Sequence, residues 1–369
     1  MLFILAAESS GDVHGAALIE ELLRLRPNLK IAAVGGPRMR SLPIQVLFPM
    51  ERLQVMGFID VVAALPRIAQ QFFVIRRAIL SLNPKAVVCI DYPGFNLRLE
   101  TSLRKKGYRG QLIHYICPTI WAWGKKRIPK MAKTLDLLLT LFPFEKKYFS
   151  STHLPVAYVG HPLIAQIPPP PASSEKKKIL GLFPGSRQAE VLRNFPLQLA
   201  AAKKLAALDH TLEIAVSVAD KNLEPLMRAQ SIDTEITFYP FEQNYEFMKQ
   251  TKVAIATSGT ITLELALHTV PTIVNFAIHP IDLFLAQKIF RINLPFYCIV
   301  NIILSKQIFP ELFGPNLHLQ ALNFWAQKLW FDAKVREEIR SGCRELRNAF
   351  GERQASREAA QAILETVYE

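Results

Sequence analysis

One pattern is written over and over in this chain: a short, mainly apolar run, then a loop of small residues, then a stretch of helical periodicity. Residues 2–7, 31–34, 86–90 and 111–116 are such runs in the first part of the chain, and residues 179–183, 212–218, 253–257 and 272–276 in the second. A strand apolar on both faces must be covered on both faces, the condition met inside a parallel sheet flanked by helices. Between the two series stands Pro168-Pro169-Pro170-Pro171-Ala172-Ser173-Ser174, where four consecutive prolines can continue neither a helix nor a sheet ladder. The sequence therefore predicts an α/β fold of two Rossmann-like domains, at 1–165 and 179–345, joined by a Pro-rich linker at 166–178, with a cleft between them. A chain of 369 residues exceeds the roughly 250–300 that one core usually serves.

Charge divides the chain more sharply than composition does. Residues 1–170 carry 22 Lys and Arg against 10 Asp and Glu, a net +12, whereas residues 171–369 carry 22 against 21, a net +1. So one-sided a field suits an anionic partner of the first domain, either nucleic acid, an acidic membrane surface or a phosphorylated substrate, and is equally compatible with plain solubility. Cys89, Cys117, Cys298 and Cys343 show no paired or metal-ligand spacing and read as reduced, buried thiols of a cytosolic protein. The opening apolar run lacks the basic start and the length of a signal peptide, and no run reaches the 18 or so residues of a spanning helix. A soluble or peripheral protein is expected.

The loops that follow the strands hold the candidate chemistry. Pro184-Gly185-Ser186-Arg187 falls between a strand and a helix, where free amides and the positive end of the helix favour an anion and an arginine grips phosphate with two parallel bonds. It lacks the ending of a Walker A loop, and an ordinary turn with a solvated Arg187 is its bland reading. Ser258-Gly259-Thr260 repeats the arrangement, with Glu264 one helical turn beyond Thr260, placed to meet the hydroxyls of a ribose. The alternative there is a capped helix start with a surface glutamate. Two such loops in one domain describe a nucleoside-diphosphate pocket.

In the first domain Glu8-Ser9-Ser10-Gly11-Asp12 follows the opening strand. Asp12 fits a helix cap as well as a site, and Glu8 fits a cap less well. Asp91 ends the strand at 86–90, where a carboxylate at a cleft is a candidate general base and an Asx turn before Pro93 the competing account. Trp121-Ala122-Trp123 beside Lys125-Lys126-Arg127 suits a sugar or acyl-chain platform, or packing. His161 faces the hinge as a ligand or as a structural histidine. Met56, Leu65, Ile68, Phe72 and Phe73 accompany arginines in a segment that reads either as a core helix or as an interfacial, acyl-contacting one.

Taken in order, Glu8-Ser9-Ser10-Gly11-Asp12, Gly36-Pro37-Arg38-Met39, Val55-Met56-Gly57, Ile90-Asp91-Tyr92-Pro93-Gly94-Phe95-Asn96, Trp121-Ala122-Trp123, Phe142-Pro143-Phe144-Glu145, Gly160-His161-Pro162, Pro184-Gly185-Ser186-Arg187, Ser258-Gly259-Thr260 and Asn301 resemble the lipid-A-disaccharide synthase family over essentially the whole chain. The resemblance implies a GT-B fold with an acceptor-binding, membrane-facing first domain, a UDP-sugar-binding second domain and a C-terminal helix at 346–369 that packs back on the first. It implies transfer of 2,3-diacylglucosamine from its UDP donor to 2,3-diacylglucosamine 1-phosphate, forming a β-1,6 disaccharide with inversion, without a cofactor or metal ion. Asp91 or Glu8 would be the base, and Gly185, Ser186, Arg187, Ser258, Gly259, Thr260, Glu264 and Asn301 would hold UDP. Ser10, Asp12, Trp121 and His161 would line the acceptor side, at the cytoplasmic face of an inner membrane. Where many members have a second aspartate this chain has Gly94, and Cys298-Ile299-Val300 replaces a common Leu-Pro pair before Asn301. The alternatives are a UDP-sugar 2-epimerase or peptidoglycan-type transferase of the same fold, and a non-catalytic basic nucleic-acid-binding protein, for which no recognition motif is present.

Overall fold

The computed structural model describes residues 1–53, 58–171, 176–278 and 294–369. Met56 and part of the Pro-rich linker lie outside the described residues.

The chain divides into two compact units, Met1–Ala165 with Glu352–Glu369, and Gln166–Gly351. The first holds a parallel sheet of seven strands: β1 (Leu2–Ala6), β2 (Ile31–Gly35), β3 (Gln45–Pro49), β4 (Ala86–Ile90), β5 (Gln111–Tyr115), β6 (Leu137–Thr140) and β7 (Val156–Tyr158), in the order 3-2-1-4-5-6-7. The second holds six, β8 (Ile179–Phe183), β9 (Glu213–Val218), β10 (Thr237–Pro240), β11 (Thr251–Thr257), β12 (Thr272–Phe276) and β13 (Glu311–Phe313), in the order 10-9-8-11-12-13. Each order is the doubly wound one, reversing direction once, between β1 and β4 and between β8 and β11. Loops diverge at that switch point, so the carboxyl ends of those strand pairs are where a ligand fits. In register, Leu5 lies beside Cys89 and Ile255 beside Leu182.

The strands called from the sequence are the central ones. They are buried along their whole length in β1, β2, β4 and β8. Beyond the strands expected from the sequence the fold adds β3, β7, β10 and β13, where half-exposed residues interrupt the apolar run, and β6, whose Leu137-Leu138-Leu139-Thr140 is fully buried.

The C-terminal helix crosses back later than residue 346. Helix Ala333–Phe350 stays in the second unit, ends at Gly351 with φ 67°, and only helix Ala355–Tyr368 joins the first. There Ala359, Ala360 and Ile363 pack with Leu18, Ile19 and Leu22 of helix Ser9–Leu25, and the Arg26 guanidinium lies 3.8 Å from the centre of the Tyr368 ring.

Candidate functional site

At the β1/β4 switch point the backbone itself is unusual. Asp91 and Tyr92 stand consecutively in the left-handed region, with φ 48° and 47°, a conformation that costs of the order of 1–3 kcal/mol per residue and persists only where the surroundings enforce it. The enforcement is visible: the Asp91 amide donates to the Tyr115 carbonyl at 2.8 Å, and the buried Asn96 side chain donates to the carbonyls of Ile90 and Asp91. Tyr92 then caps helix Pro93–Lys105. The turn leaves Asp91 at the carboxyl end of β4, where its charge is felt by Glu8 and His14. Desolvation raises the pKa of Glu8, and the Asp91 charge adds to the effect; burial lowers that of His14 while Asp91 opposes it. His161 is pushed down to about 4 by burial, then by His14, so its imidazole is neutral, with one ring nitrogen a donor and the other an acceptor; Nδ1 accepts from the Leu163 amide at 3.3 Å.

Beside these lies an aromatic wall. Trp121, Phe144, Phe142 and His161 follow one another with ring centres 5.8, 5.8 and 5.3 Å apart. Glu145, buried beneath them, has its pKa raised to about 8 by burial, against the opposing pull of bonds from the Phe142 amide, at 3.2 Å, and from Trp121. A carboxyl anchors the indole, which fixes Trp121 as a rigid surface. Phe142 and Glu145 carry no sequence signal beyond the Phe142-Pro143-Phe144-Glu145 run itself.

Asp12 does not take part in this way. It is buried, and its two oxygens accept from the amides of Gly36, Arg38 and Met39 at 2.7 to 3.1 Å, capping the short helix Pro37–Arg40. A Cβ on Gly15 would sit 2.6 Å from the Met39 sulfur. Asp12 and Gly36-Pro37-Arg38-Met39 thus form one structural clasp. Ser10 is exposed on the first turn of its helix.

At the β8/β11 switch point the two small-residue loops come together in a pocket of about 220 Å³. It is lined by Gly185, Ser186, Thr257, Ser258, Gly259, Thr260 and Glu264, with Glu190, Ser217, Phe241 and Asn244 among the others. Gly185 has φ 116°, and a Cβ there would meet Glu190 at 2.7 Å, so glycine is required. Helix Thr260–Leu267 starts inside the pocket and presents its free amides there. Glu264, desolvated, has its pKa raised to about 7. The buried hydroxyl of Thr257 has no hydrogen-bond partner among the described residues. Beneath the loops runs a buried amide ladder: Gln198 donates to Phe183 O and Asn275 Oδ1, Asn275 to Asn194 Oδ1, and Asn194 to Glu190 O. It ties the ends of β8 and β12 to the helix that carries Glu190.

Three further residues belong to the pocket although no motif marked them. Ser217 and Asn244 are buried and bonded to each other at 2.7 Å, and Phe241 is 62% exposed at the rim. Two marked residues stand differently. The Arg187 side chain is 81% exposed and bonded to Glu190 at 2.9 Å. Asn301 is fully buried, its amide donating to Phe309 O and Glu311 and its oxygen accepting from the amides of Ile308 and Phe309. All its hydrogen-bonding capacity is used, so it locks the turn into β13 and does not line the pocket.

The segment with bulky apolar residues is helix Phe58–Leu82. Ile68 and Phe72 pack on the core of the first unit, Phe72 against Phe95 at 5.6 Å, while Leu65, Phe73 and Val74 are exposed, as are Arg67 and Arg77 on the same helix. No helix among the described residues is long and apolar enough to cross a membrane.

Comparison with known proteins bears on these features together. The family model described as lipid-A-disaccharide synthetase matches residues 2–366. A lipid-A-disaccharide synthase of Chlamydia trachomatis serovar D is 38% identical over 99% of this chain, which spans 62% of that relative's length. One from Geobacter sulfurreducens is 30% identical, with 99% of this chain and 96% of the relative covered. Among solved structures, the glycotransferase of kitacinnamycin superposes with a TM-score of 0.61 at 13% identity, covering 99% of this chain and 98% of that one. The UDP-GlcNAc 2-epimerase of Neisseria meningitidis bound to UDP-GlcNAc gives 0.59 at 11% identity, covering 99% of each. The architecture shared with both is GT-B.

Proposed function

The chain belongs to the lipid-A-disaccharide synthetase family, and on that premise we propose that it is a glycosyltransferase of lipid A biosynthesis. It joins the diacylglucosamine unit of a UDP donor to diacylglucosamine 1-phosphate and releases UDP. The observation that carries the nucleotide part is the meeting of the Gly185-Ser186 and Ser258-Gly259-Thr260 loops with Glu264 in one pocket.

In this reading the diphosphate rests on the amides of both loops and the start of helix Thr260–Leu267, and Arg187 would exchange Glu190 for a phosphate oxygen. The Glu264 carboxylate accepts from the ribose hydroxyls, and Phe241, Ser217 and Asn244 receive the base. Asp91, aimed by its left-handed turn, takes the proton of the acceptor 6-hydroxyl as that oxygen attacks the anomeric carbon from the side opposite UDP, which inverts it. Glu8 holds its proton to higher pH than an ordinary glutamate and orients the hydroxyl. The charge that develops on UDP is met by preorganised amides and Arg187, without a metal ion. The acyl chains and the membrane surface fall to the exposed face of helix Phe58–Leu82. The net +12 of residues 1–170 supports attraction of that half to an anionic cytoplasmic leaflet.

UDP release from acylated and deacylated donor and acceptor, with and without EDTA, tests the reading. Turnover is expected only with acylated sugars and is unchanged by the chelator, and Asp91→Asn lowers kcat at least a thousandfold while UDP still binds. Equal turnover of deacylated sugars would exclude the lipid substrate, and full activity in Asp91→Asn would exclude it as the base.

A further inference from the structure

A second cavity, of about 390 Å³, opens elsewhere in the second unit. Its walls are Pro169, Pro170 and Pro171 on one side and helix Ala333–Phe350 on the other, with Lys176, Arg340, Arg344 and Arg347 among its lining and Glu337 the one carboxylate among the described lining residues. The residues after 170 are nearly neutral as a whole, with a net +1, yet among the described lining residues four cations face one acid. That acid is spent at the rim: Arg344 bonds to Glu337 at 2.7 Å, and Arg340 stands 3.8 Å from it. Arg347 is pinned as a rigid donor, bonded to the carbonyls of Ile167 and Leu267. Lys176 reaches the Met248 carbonyl at 3.4 Å.

The cations press on one another. Burial and then Arg340 bring Lys176 down to about 8, and the neighbouring His268, lowered by burial first, is depressed further by Lys176, Lys249 and Arg347, to about 4. Like charges gathered around a concave, partly desolvated space destabilise the fold unless a counter-charge occupies it. Arginine forks and a lysine point charge on converging walls are the donor set that meets phosphate oxygens, and the volume lies at the small end of ligand pockets, roughly 300–1,000 Å³.

We propose that this cavity binds a small phosphate dianion, either inorganic phosphate or a soluble phosphomonoester, at a site separate from the pocket at the β8/β11 switch point. Helix Thr260–Leu267 contributes its first turn to that pocket, and Thr269, just past its end, lines this cavity. The bound anion therefore steadies the same helix from its other end.

Calorimetric titration at low salt, with UDP saturating the other pocket, reads the site directly. Inorganic phosphate is expected to bind the wild-type protein saturably at one site. The double variant Lys176→Met/Arg340→Gln loses at least tenfold in affinity, melts no lower than wild type in phosphate-free buffer because mutual repulsion has been removed, and gains nothing in melting temperature when phosphate is added. Should that variant fail to fold, Arg344→Gln is expected to weaken binding severalfold on its own. Glycerol 3-phosphate binding more tightly than inorganic phosphate would identify the ligand as a monoester, and the reverse as the free ion. Absence of saturable binding, or equal binding in wild type and both variants, overturns the proposal.

Discussion

Asn96 holds Asp91 by its backbone: one side-chain amide donates to the Asp91 carbonyl at 2.7 Å and to that of Ile90 at 3.2 Å. With Tyr115 bonded to the Asp91 amide, both polar groups of the left-handed residue are fixed. Asn96→Ala removes a buried donor and releases the turn. It is expected to cost about 2 kcal/mol, a melting shift of roughly 4–8 °C for a unit of this size. It should also lower kcat with little change in UDP affinity; a variant that melts lower but turns over normally would separate the clamp from catalysis.

Glu264 makes nucleotide binding depend on pH. Its pKa of about 7 is raised, so the free protein carries a half-protonated carboxyl near neutrality. Donation from two ribose hydroxyls favours the charged form and lowers that value. Binding therefore expels a proton, and affinity rises as pH increases through 7, about tenfold if the bound value falls by one unit. Titrating UDP between pH 6 and 8 should show the rise in wild type, whereas Glu264→Gln binds more weakly and keeps only the slope that belongs to UDP.

The two pocket glycines answer differently to alanine. At Gly185 the backbone is left-handed and a Cβ meets Glu190 at 2.7 Å, whereas at Gly259 the backbone is extended and nothing lies within 4 Å. Gly185→Ala should destabilise the second unit by about 1–3 kcal/mol. Gly259→Ala should leave melting within about 0.5 kcal/mol of wild type and still weaken UDP about tenfold, because its methyl group stands where the ligand approaches. Calorimetry and thermal denaturation on the same samples distinguish them.

Leu65 and Phe73 are 53% and 56% exposed on helix Phe58–Leu82. Leu65→Ser/Phe73→Ser is expected to reduce cosedimentation with vesicles containing anionic lipid several-fold and to leave melting nearly unchanged. Ile68→Ser, which breaks core packing, should lower stability by about 1–3 kcal/mol instead. Unchanged vesicle binding in the double variant would move the membrane contact elsewhere.

The central strands are legible in the sequence because burial on both faces leaves them few polar residues; β7 and β10, at the sheet edges, retain exposed or half-exposed positions and lose that signal. The Gly185 and Ser258 loops were legible because small residues between strand and helix have a local cause. Ser217, Phe241 and Asn244 have none: they are ordinary residues near the ends of β9 and β10, brought to the pocket by sheet order alone. Asp12 and Asn301 show the opposite limit. A polar residue that binds a ligand and one that satisfies buried amides look alike in a sequence, and only the partners of their oxygens, three amides for Asp12 and two for Asn301, tell them apart.

Helix Ala355–Tyr368 closes the first unit from the far end of the chain, its Ala359, Ala360 and Ile363 filling the face of helix Ser9–Leu25. A ribosome makes the partner of Leu18 some 340 residues after Leu18 itself, at roughly 5–20 residues per second. The unbroken second unit has all its parts before the first does. During synthesis, then, the half that carries Asp91 is the last to become native, and its apolar helix face waits uncovered until the final turns emerge.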